Sequence, residues 1–203
     1  MDMDLDSVNP YADNKVILLN GPPGCGKDTL AGAIAKAHPG VFIREFKTQL
    51  YVITDTLFGL APMTTQVINM DRERKEVRMD IYGSRSCREA LIFVSEKVIK
   101  PNFGHHYFGE AAARRIQPKE MSIFSDSGFE EEARCIIQEV GRENVMLLRI
   151  AGRGSYETDS RDFLPVEMFQ HYTQVQNDRS EESFIARSLL TVDFFLLKGS
   201  DIV

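Results

Sequence analysis

The sequence predicts a three-layer α/β fold, in which helices cover both faces of a mostly parallel sheet. Short apolar runs alternate along the chain with stretches of helical periodicity, which is the pattern of β–α units. The first apolar run leads through a glycine-rich turn into the first helical stretch. Because 203 residues suit one such body, we expect a single domain at 14–203. The alternating Asp residues of 1–13 predict a loose leader before it.

The first two β–α units are marked by local signals. Apolar runs that end at turn formers predict strands, and apolar residues at helical spacing that stop at Gly or Pro predict helices. These signals predict a strand at 15–20, a helix from Lys27 to the stop at Pro39-Gly40, a strand at 41–44 and a helix through Leu50 and Phe58 that ends near Gly59.

The middle of the chain contains a charged, irregular stretch at 62–82, where no element is predicted. Ser86 and Glu89 form a capping box for an apolar helix that Pro101 should stop. The remaining predicted elements are a helix at about 105–117, a strand at 121–125, a helix at 129–140, strands at 145–150 and 171–176, and a helix from 180 to about 197. In such a sheet, ligands bind beyond the carboxyl ends of the strands.

Composition narrows the classes of partner. A net charge of −6 disfavours broad affinity for duplex nucleic acid, which depends on Lys and Arg releasing counterions. No apolar run approaches the roughly 20 residues that cross a bilayer. The three cysteines lack metal-ligand or redox spacing and suit reduced thiols. We therefore expect a cytoplasmic protein that binds neither membrane nor nucleic acid directly, with a homodimer left open.

The segment Gly21-x-x-x-x-Gly26-Lys27 matches the Walker A pattern through its lysine. It follows a predicted strand and opens a predicted helix, a position that disfavours the alternative of a glycine-rich turn without a ligand. Backbone N–H groups of such a loop cradle phosphate oxygens, and the lysine bridges the β- and γ-phosphates. We expect ATP and Mg²⁺ to bind here, with the nucleotide held by Gly21, Gly24, Cys25, Gly26, Lys27, Asp28 and Thr29.

Two carboxylates are candidates for the magnesium ion. Asp28 stands where the pattern has Ser or Thr, and it either ligates Mg²⁺ or its waters or only favours the first helical turn as an anion. Asp126 follows the apolar strand predicted at 121–125, where a carboxylate reaches Mg²⁺ in phosphate-transferring enzymes. Its alternative role is an N-cap for the helix that begins near 128.

The segment GPPGCGKDTLA resembles the nucleoside monophosphate kinases of the P-loop superfamily. With Asp after the lysine, it is most similar to the deoxynucleoside monophosphate kinases of bacteriophages. Shorter segments across roughly 15–190 point the same way: Glu45 to Leu50, Arg88-Glu89-Ala90-Leu91, Tyr107 to Ala112, and Phe124-Ser125-Asp126 with Phe129. An arginine typical of that last segment is absent, because Gly128 occupies its place.

This resemblance implies a P-loop kinase fold with a mobile lid, host-cytoplasmic if phage-encoded, and transfer of the ATP γ-phosphoryl group to a deoxynucleoside monophosphate. The acceptor would lie within about 45–117, and the lid would be about 152–164. A monophosphate is best recognised by the forked cation of an arginine. The candidate residues for the acceptor are Arg44, Lys47, Arg88 and Asp126, and those for catalysis are Lys27, Arg153 and Arg161.

Each of these assignments has an ordinary alternative. Arg44 and Arg88 are otherwise surface arginines paired with Glu45 and Glu89, and the lid is otherwise a solubilising loop. Two rival functions also remain: phosphorylation of another small metabolite, and an ATP-binding accessory role in phage DNA metabolism.

Overall fold

A computed structural model describes residues 10–157 and 161–197 of the chain. Its strands are β1 (Lys15–Asn20), β2 (Val41–Arg44), β3 (Arg78–Met79), β4 (Arg85–Ser86), β5 (Met121–Ser127), β6 (Val145–Ala151) and β7 (His171–Gln176). Five of them form a parallel sheet in the order β2-β5-β1-β6-β7, and β3 and β4 form a separate antiparallel pair. The predicted parallel α/β fold is confirmed.

The helices are α1 (Lys27–Ala37), α2 (Thr48–Leu57), α3 (Thr64–Met70), α4 (Cys87–Phe93), α5 (Lys100–Phe103), α6 (Tyr107–Ala113), α7 (Glu130–Val140) and α8 (Glu181–Leu197). Most occupy the predicted ranges, but two predictions were wrong. The stretch read as irregular contains α3, and Pro101 does not stop the helix that begins near Ser86. The chain instead stays helical through a π-helical segment, Val94–Ile99, and into α5, which contains Pro101 in its first turn.

The central strand β1 explains the three layers. Its side chains alternate between the faces of the sheet, so that Val16 and Leu18 pack in the core beneath α6 and α7. Ile17 and Leu19 join the opposite core, which α1 and α8 cover. All four are essentially inaccessible to solvent. A strand buried on both faces has the continuous apolar run read in the sequence.

Helices α2, α3 and α4 form a smaller body beside the sheet with its own core, which includes Tyr51, Ile68, Tyr82 and Leu91. The carboxylate of Asp55 holds part of it together by accepting bonds from the Thr65 backbone N–H and hydroxyl. This body faces the carboxyl ends of the strands. Among the described residues, no helix combines the length and apolar character required to span a membrane.

The capping box at the start of α4 is present as predicted. Ser86 Oγ accepts from the Glu89 backbone N–H at 3.1 Å, and the Glu89 carboxylate accepts from the Ser86 N–H at 2.9 Å. We expect Ser86→Ala to lower the free energy of unfolding by about 1 kcal/mol, because one N–H at the helix start loses its partner. Urea denaturation of the unaltered chain and of Ser86→Ala would measure the difference.

Candidate active site

A cleft of about 590 Å³ lies beyond the carboxyl ends of the parallel strands. The loops after β1, β6 and β7 and the last residues of β5 contribute to it, as expected for a parallel sheet. Although the chain is net negative, seven cationic side chains line the cleft against three carboxylates. They are Lys27, Lys47, Arg72, Lys75, Arg88, Arg153 and Arg161, with Asp28, Asp126 and Glu181. The cleft therefore suits an anionic ligand.

The glycine loop turns sharply into α1 at Gly26, whose φ of +103° favours glycine. An added Cβ there would lie 2.9 Å from Asn177 Nδ2. That amide donates to the Cys25 carbonyl oxygen at 2.9 Å. Because C=O and N–H point in opposite directions across a trans peptide, this bond turns the Gly26 N–H away from Asn177. Asn177 is a positioning residue that sequence reasoning missed, since it lies on the loop after β7.

Lys27 opens α1, and its buried ammonium group is held by the loop itself. Nζ donates to the carbonyl oxygens of Gly21 and Pro22, the latter at 2.8 Å. Burial lowers the pKa of Lys27, the neighbouring Cys25 side chain opposes that shift, and the nearby cation Arg161 adds to it. The predicted lysine thus lies inside the cleft, close to the predicted lid arginine.

Of the other loop residues predicted to hold the nucleotide, three line the cleft, whereas Gly21 and Cys25 do not. Asp28 and Thr29, in the first turn of α1, line the cleft with Gly24. Cys25 is buried and its Sγ lies 3.6 Å from Lys27 Nζ. Burial raises the pKa of this thiol more than Lys27 lowers it, so Cys25 is a packing residue of the loop rather than a reactive thiolate.

Asp126 lies within the last residues of β5 and lines the cleft. Its carboxylate accepts from the backbone N–H groups of Phe46 at 2.9 Å and Lys47 at 3.2 Å. It therefore ties the end of β5 to the start of α2. The alternative role as N-cap of α7 is not what the structure shows, because that position is Phe129 and has no side-chain bond.

Lys47 lies beside this carboxylate, at the start of α2. Burial alone would lower the pKa of Lys47, but the charges of Asp126 and Glu45 outweigh it and raise the pKa. Glu45 Oε1 lies 3.3 Å from Lys47 Nζ. The ammonium is thus held charged at the wall of the cleft.

Of the two predicted acceptor arginines, the structure brings only Arg88 to the cleft. Arg44 makes a two-pronged ion pair with Glu120, with Nε 2.6 Å from Oε1, so its expected contact with acceptor phosphate has no geometric support. Arg88 pairs with Glu76 at 2.8 Å rather than with Glu89. Both pairings differ from the ones read off the sequence, because neighbours in the chain are not the nearest partners in space.

Two cations of the irregular stretch, Arg72 and Lys75, also line the cleft beside Arg88. Burial lowers the pKa of Lys75, and the positive charge of Arg88 lowers it further. A charge run such as 71–78 is most often a solvated helix face, but these two of its members line the cleft, where they can frame an acceptor pocket.

The segment predicted as a lid contributes both of its arginines to the cleft. Arg153 donates to the Arg179 backbone oxygen at 3.0 Å, at the start of the loop before α8. Residues 158–160 lie outside the described part of the chain, and 152–157 and 161–164 contain no helix or strand. Movement of this segment stays a prediction.

Glu132, in the first turn of α7, is a buried carboxyl group near Asp126. Burial raises its pKa from 4.5 to about 8, and the charge of Asp126 adds to the shift. The folded chain thus holds a proton that the unfolded chain releases, and stability should fall as pH rises from about 4.5 through about 8. We expect Glu132→Gln to flatten this fall in urea denaturation across that range, whereas Glu131→Gln, its exposed neighbour, should leave it unchanged.

Comparisons with known proteins bear on the fold. No family model and no curated protein matches the chain. A putative kinase from Chloroflexus aurantiacus J-10-fl is similar in structure, with a TM-score of 0.54 and 16% identity over 93% of this chain and 99% of that one. A gluconokinase from Sinorhizobium meliloti 1021 (TM-score 0.44, 15% identity, 91% and 94% covered) and a shikimate kinase from Aquifex aeolicus VF5 (0.41, 12%, 88% and 96%) also match. The likeness to the first confirms the α/β architecture.

Proposed function

We propose that this chain is an ATP-dependent phosphotransferase that phosphorylates a nucleoside or deoxynucleoside monophosphate. The observation that carries the proposal is the distribution of cations in the cleft. Lys27 lies with the glycine loop at the start of α1, and Arg72, Lys75 and Arg88 form a second cationic group, which comes from α4 and the segment between α3 and α4. We call the first group the donor end of the cleft and the second the acceptor end. A cleft with two cationic ends suits two phosphate-bearing ligands that meet between them.

The residues of the glycine loop bind ATP, the phosphoryl donor. Backbone N–H groups at the start of α1 hold the phosphates of ATP, and the Lys27 ammonium neutralises charge on the group being transferred. Arg153 and Arg161 line the cleft beside this loop and share that task. Phosphoryl transfer requires the protein to position the two substrates and to stabilise the charge of the transition state. No covalent intermediate with the chain is required.

Asp28 and Asp126 fit a magnesium ion, because both are carboxylates at the wall of the phosphate cleft. Mg²⁺ would supply charge neutralisation between the phosphates. The described residues contain no group of three or more His, Cys, Asp or Glu side chains placed to hold a metal by themselves. The ion would therefore depend on phosphate oxygens, as Mg²⁺ in kinases does.

The acceptor's phosphate suits Arg88 best, since a guanidinium offers two parallel donors to a phosphate. Arg88 is half-exposed, with Glu76 as its partner, so it is free to exchange that partner for a ligand. The similarity of Arg88-Glu89-Ala90-Leu91 to phage deoxynucleoside monophosphate kinases supports the same role.

A second candidate is phosphorylation of another small anionic metabolite. Phe184 is the one aromatic residue among those lining the cleft, and it lies against Gly26 rather than beside Arg88. In the described part of the chain, no aromatic side chain therefore lines the acceptor end to stack with a base. A compact sugar acid or other carboxylic acid would bind to the cations there without an aromatic side chain to stack against.

An acceptor screen tests both. The purified chain would be mixed with Mg·ATP and, separately, with each ribo- and deoxynucleoside monophosphate, gluconate and shikimate, and ADP and the phosphorylated product would be measured. A nucleoside diphosphate product supports the proposal, and a phosphorylated acid supports the second candidate. ATP turnover that only DNA or another protein stimulates would indicate the accessory role and contradict both.

A further inference from the structure

Asn20, at the carboxyl end of β1, is buried and joins three separate segments around the cleft. Its Nδ2 lies 3.2 Å from the Ser127 carbonyl oxygen of β5, 3.3 Å from the Tyr156 hydroxyl and 3.0 Å from the Asp162 carbonyl oxygen. Its Oδ1 accepts from the Leu164 backbone N–H at 2.9 Å. One carboxamide thus connects the strand before the glycine loop to both arms of the predicted lid.

Arg161 is held in place through these bonds. The peptide groups on both sides of its neighbour Asp162 are fixed, because the Asp162 carbonyl accepts from Asn20 and its N–H donates to the Gly128 oxygen at 3.1 Å. Arg161 itself crosses Gly128 so closely that an added Cβ on that glycine would lie 2.6 Å from Arg161 Cβ. The backbone bonds of Asp162 and the contact with Gly128 therefore both fix the position at which the Arg161 side chain begins.

We propose that Asn20 is a positioning residue that sets Arg161 against the terminal phosphate of the bound nucleotide. This inference rests on the proposed binding of ATP by the glycine loop but not on the identity of the acceptor. A donor held about 1 Å too far from a phosphate oxygen loses much of its interaction. Asn20 directly precedes Gly21, so the same residue aligns the arginine and the loop that holds the phosphates.

Gly128 takes part in this arrangement. The resemblance to phage kinases places an arginine there, and Arg161 lies over that position in this chain. A side chain on residue 128 and the present path of Arg161 exclude one another. The position of the Arg161 side chain therefore requires a glycine at residue 128.

The test compares the affinities of a triphosphate and a diphosphate, because only the former presents the γ-phosphate. Dissociation constants for Mg·AMPPNP and Mg·ADP would be measured by calorimetry for the unaltered chain, Asn20→Ala, Arg161→Ala and the double variant. We expect the preference for AMPPNP to fall about tenfold in each single variant, the size of one charge-assisted hydrogen bond, and no further in the double variant.

Asn14→Ala is the matched control. Asn14 lies just before β1 at its opposite end, is equally buried and also bonds to backbone groups of distant segments. Both asparagine variants should be less stable in urea, but Asn14→Ala should keep the full preference for AMPPNP. A role for Asn20 in stability alone would give the two variants the same nucleotide preference and overturn the proposal.

Gly128→Ala tests the same idea if Asn20→Ala does not fold. The added methyl group displaces Arg161 without touching Asn20, so the preference for AMPPNP should again fall about tenfold. Gly32→Ala, on α1 with open space around an added Cβ, is its control. Unchanged preference in Gly128→Ala, or multiplied losses in the Asn20→Ala/Arg161→Ala variant, would overturn the inference. Nucleotide binding without any phosphorylated acceptor would contradict only the proposed acceptor, whereas no nucleotide binding would overturn both.

Discussion

Lys27→Ala is expected to lower kcat/KM for the phosphorylated acceptor by about 10²- to 10³-fold or more while the chain stays folded. The ammonium lies inside the cleft at the start of α1 and donates to carbonyl oxygens of the glycine loop, the proposed phosphate site. Removing one preorganised donor from a site of charge development costs about 3–4 kcal/mol in the transition state. Steady-state kinetics with circular dichroism would measure activity and fold together.

Lys36→Ala provides the control for this substitution. Lys36 is an exposed lysine in the last turn of the same helix. Both substitutions therefore change helix propensity in the same way, but only Lys27→Ala removes a charge from the cleft. Kinetics of Lys36→Ala should match the unaltered chain. Comparable activity in Lys27→Ala and Lys36→Ala would show that the glycine loop does not serve as the phosphate site.

The sequence predicts the donor end of the site well because its information is local. Residues 15–29 contain the strand, the turn and the helix start in one contiguous stretch, and each has a short-range physical signal. Lys27, Asp28 and Thr29 accordingly line the cleft. The strand that follows at 41–44 and the capped helix at Ser86 were predicted for the same reason.

The acceptor end is harder to predict from the sequence, because its geometry depends on contacts between residues that are far apart in the chain. Arg44 and Arg88 look alike in the sequence, each beside a glutamate. The partner of Arg44, however, is Glu120, which directly precedes β5, the strand that pairs with β2. Arg72 and Lys75 belong to a stretch without clear periodicity, so that only the packing of α3 and α4 brings them to Arg88.

The buried asparagines illustrate the same limit. Asn20 and Asn177 each make bonds to segments more than a hundred residues away, and a lone asparagine next to a turn is most often a turn residue. A signal for Asn20 did exist, since a polar residue at the end of a strand buried on both faces requires a partner. That argument predicts a bond but not the segment that supplies it.

The second large effect is expected at the acceptor end. The structure places Arg88 in the cleft and Arg44 outside it, a difference that the sequence does not show. We expect Arg88→Ala to raise KM for the acceptor by about 10- to 100-fold with kcat and the KM for ATP little changed. A hydrogen bond from a charged donor to phosphate contributes about 1.5–3 kcal/mol. Initial rates at saturating Mg·ATP over a range of acceptor concentrations would give the two constants separately.

Arg44→Ala is the matched comparison and should show the reverse pattern. Its loss leaves the buried Glu120 carboxylate without its main cation, so the free energy of unfolding should fall by about 3 kcal/mol. Its kinetic constants should stay near those of the unaltered chain, because Arg44 is not among the residues that line the cleft. If Arg44→Ala raised the acceptor KM and Arg88→Ala did not, the acceptor would bind at the edge of the sheet beside β2, and the cationic end formed by Arg72, Lys75 and Arg88 would have another purpose.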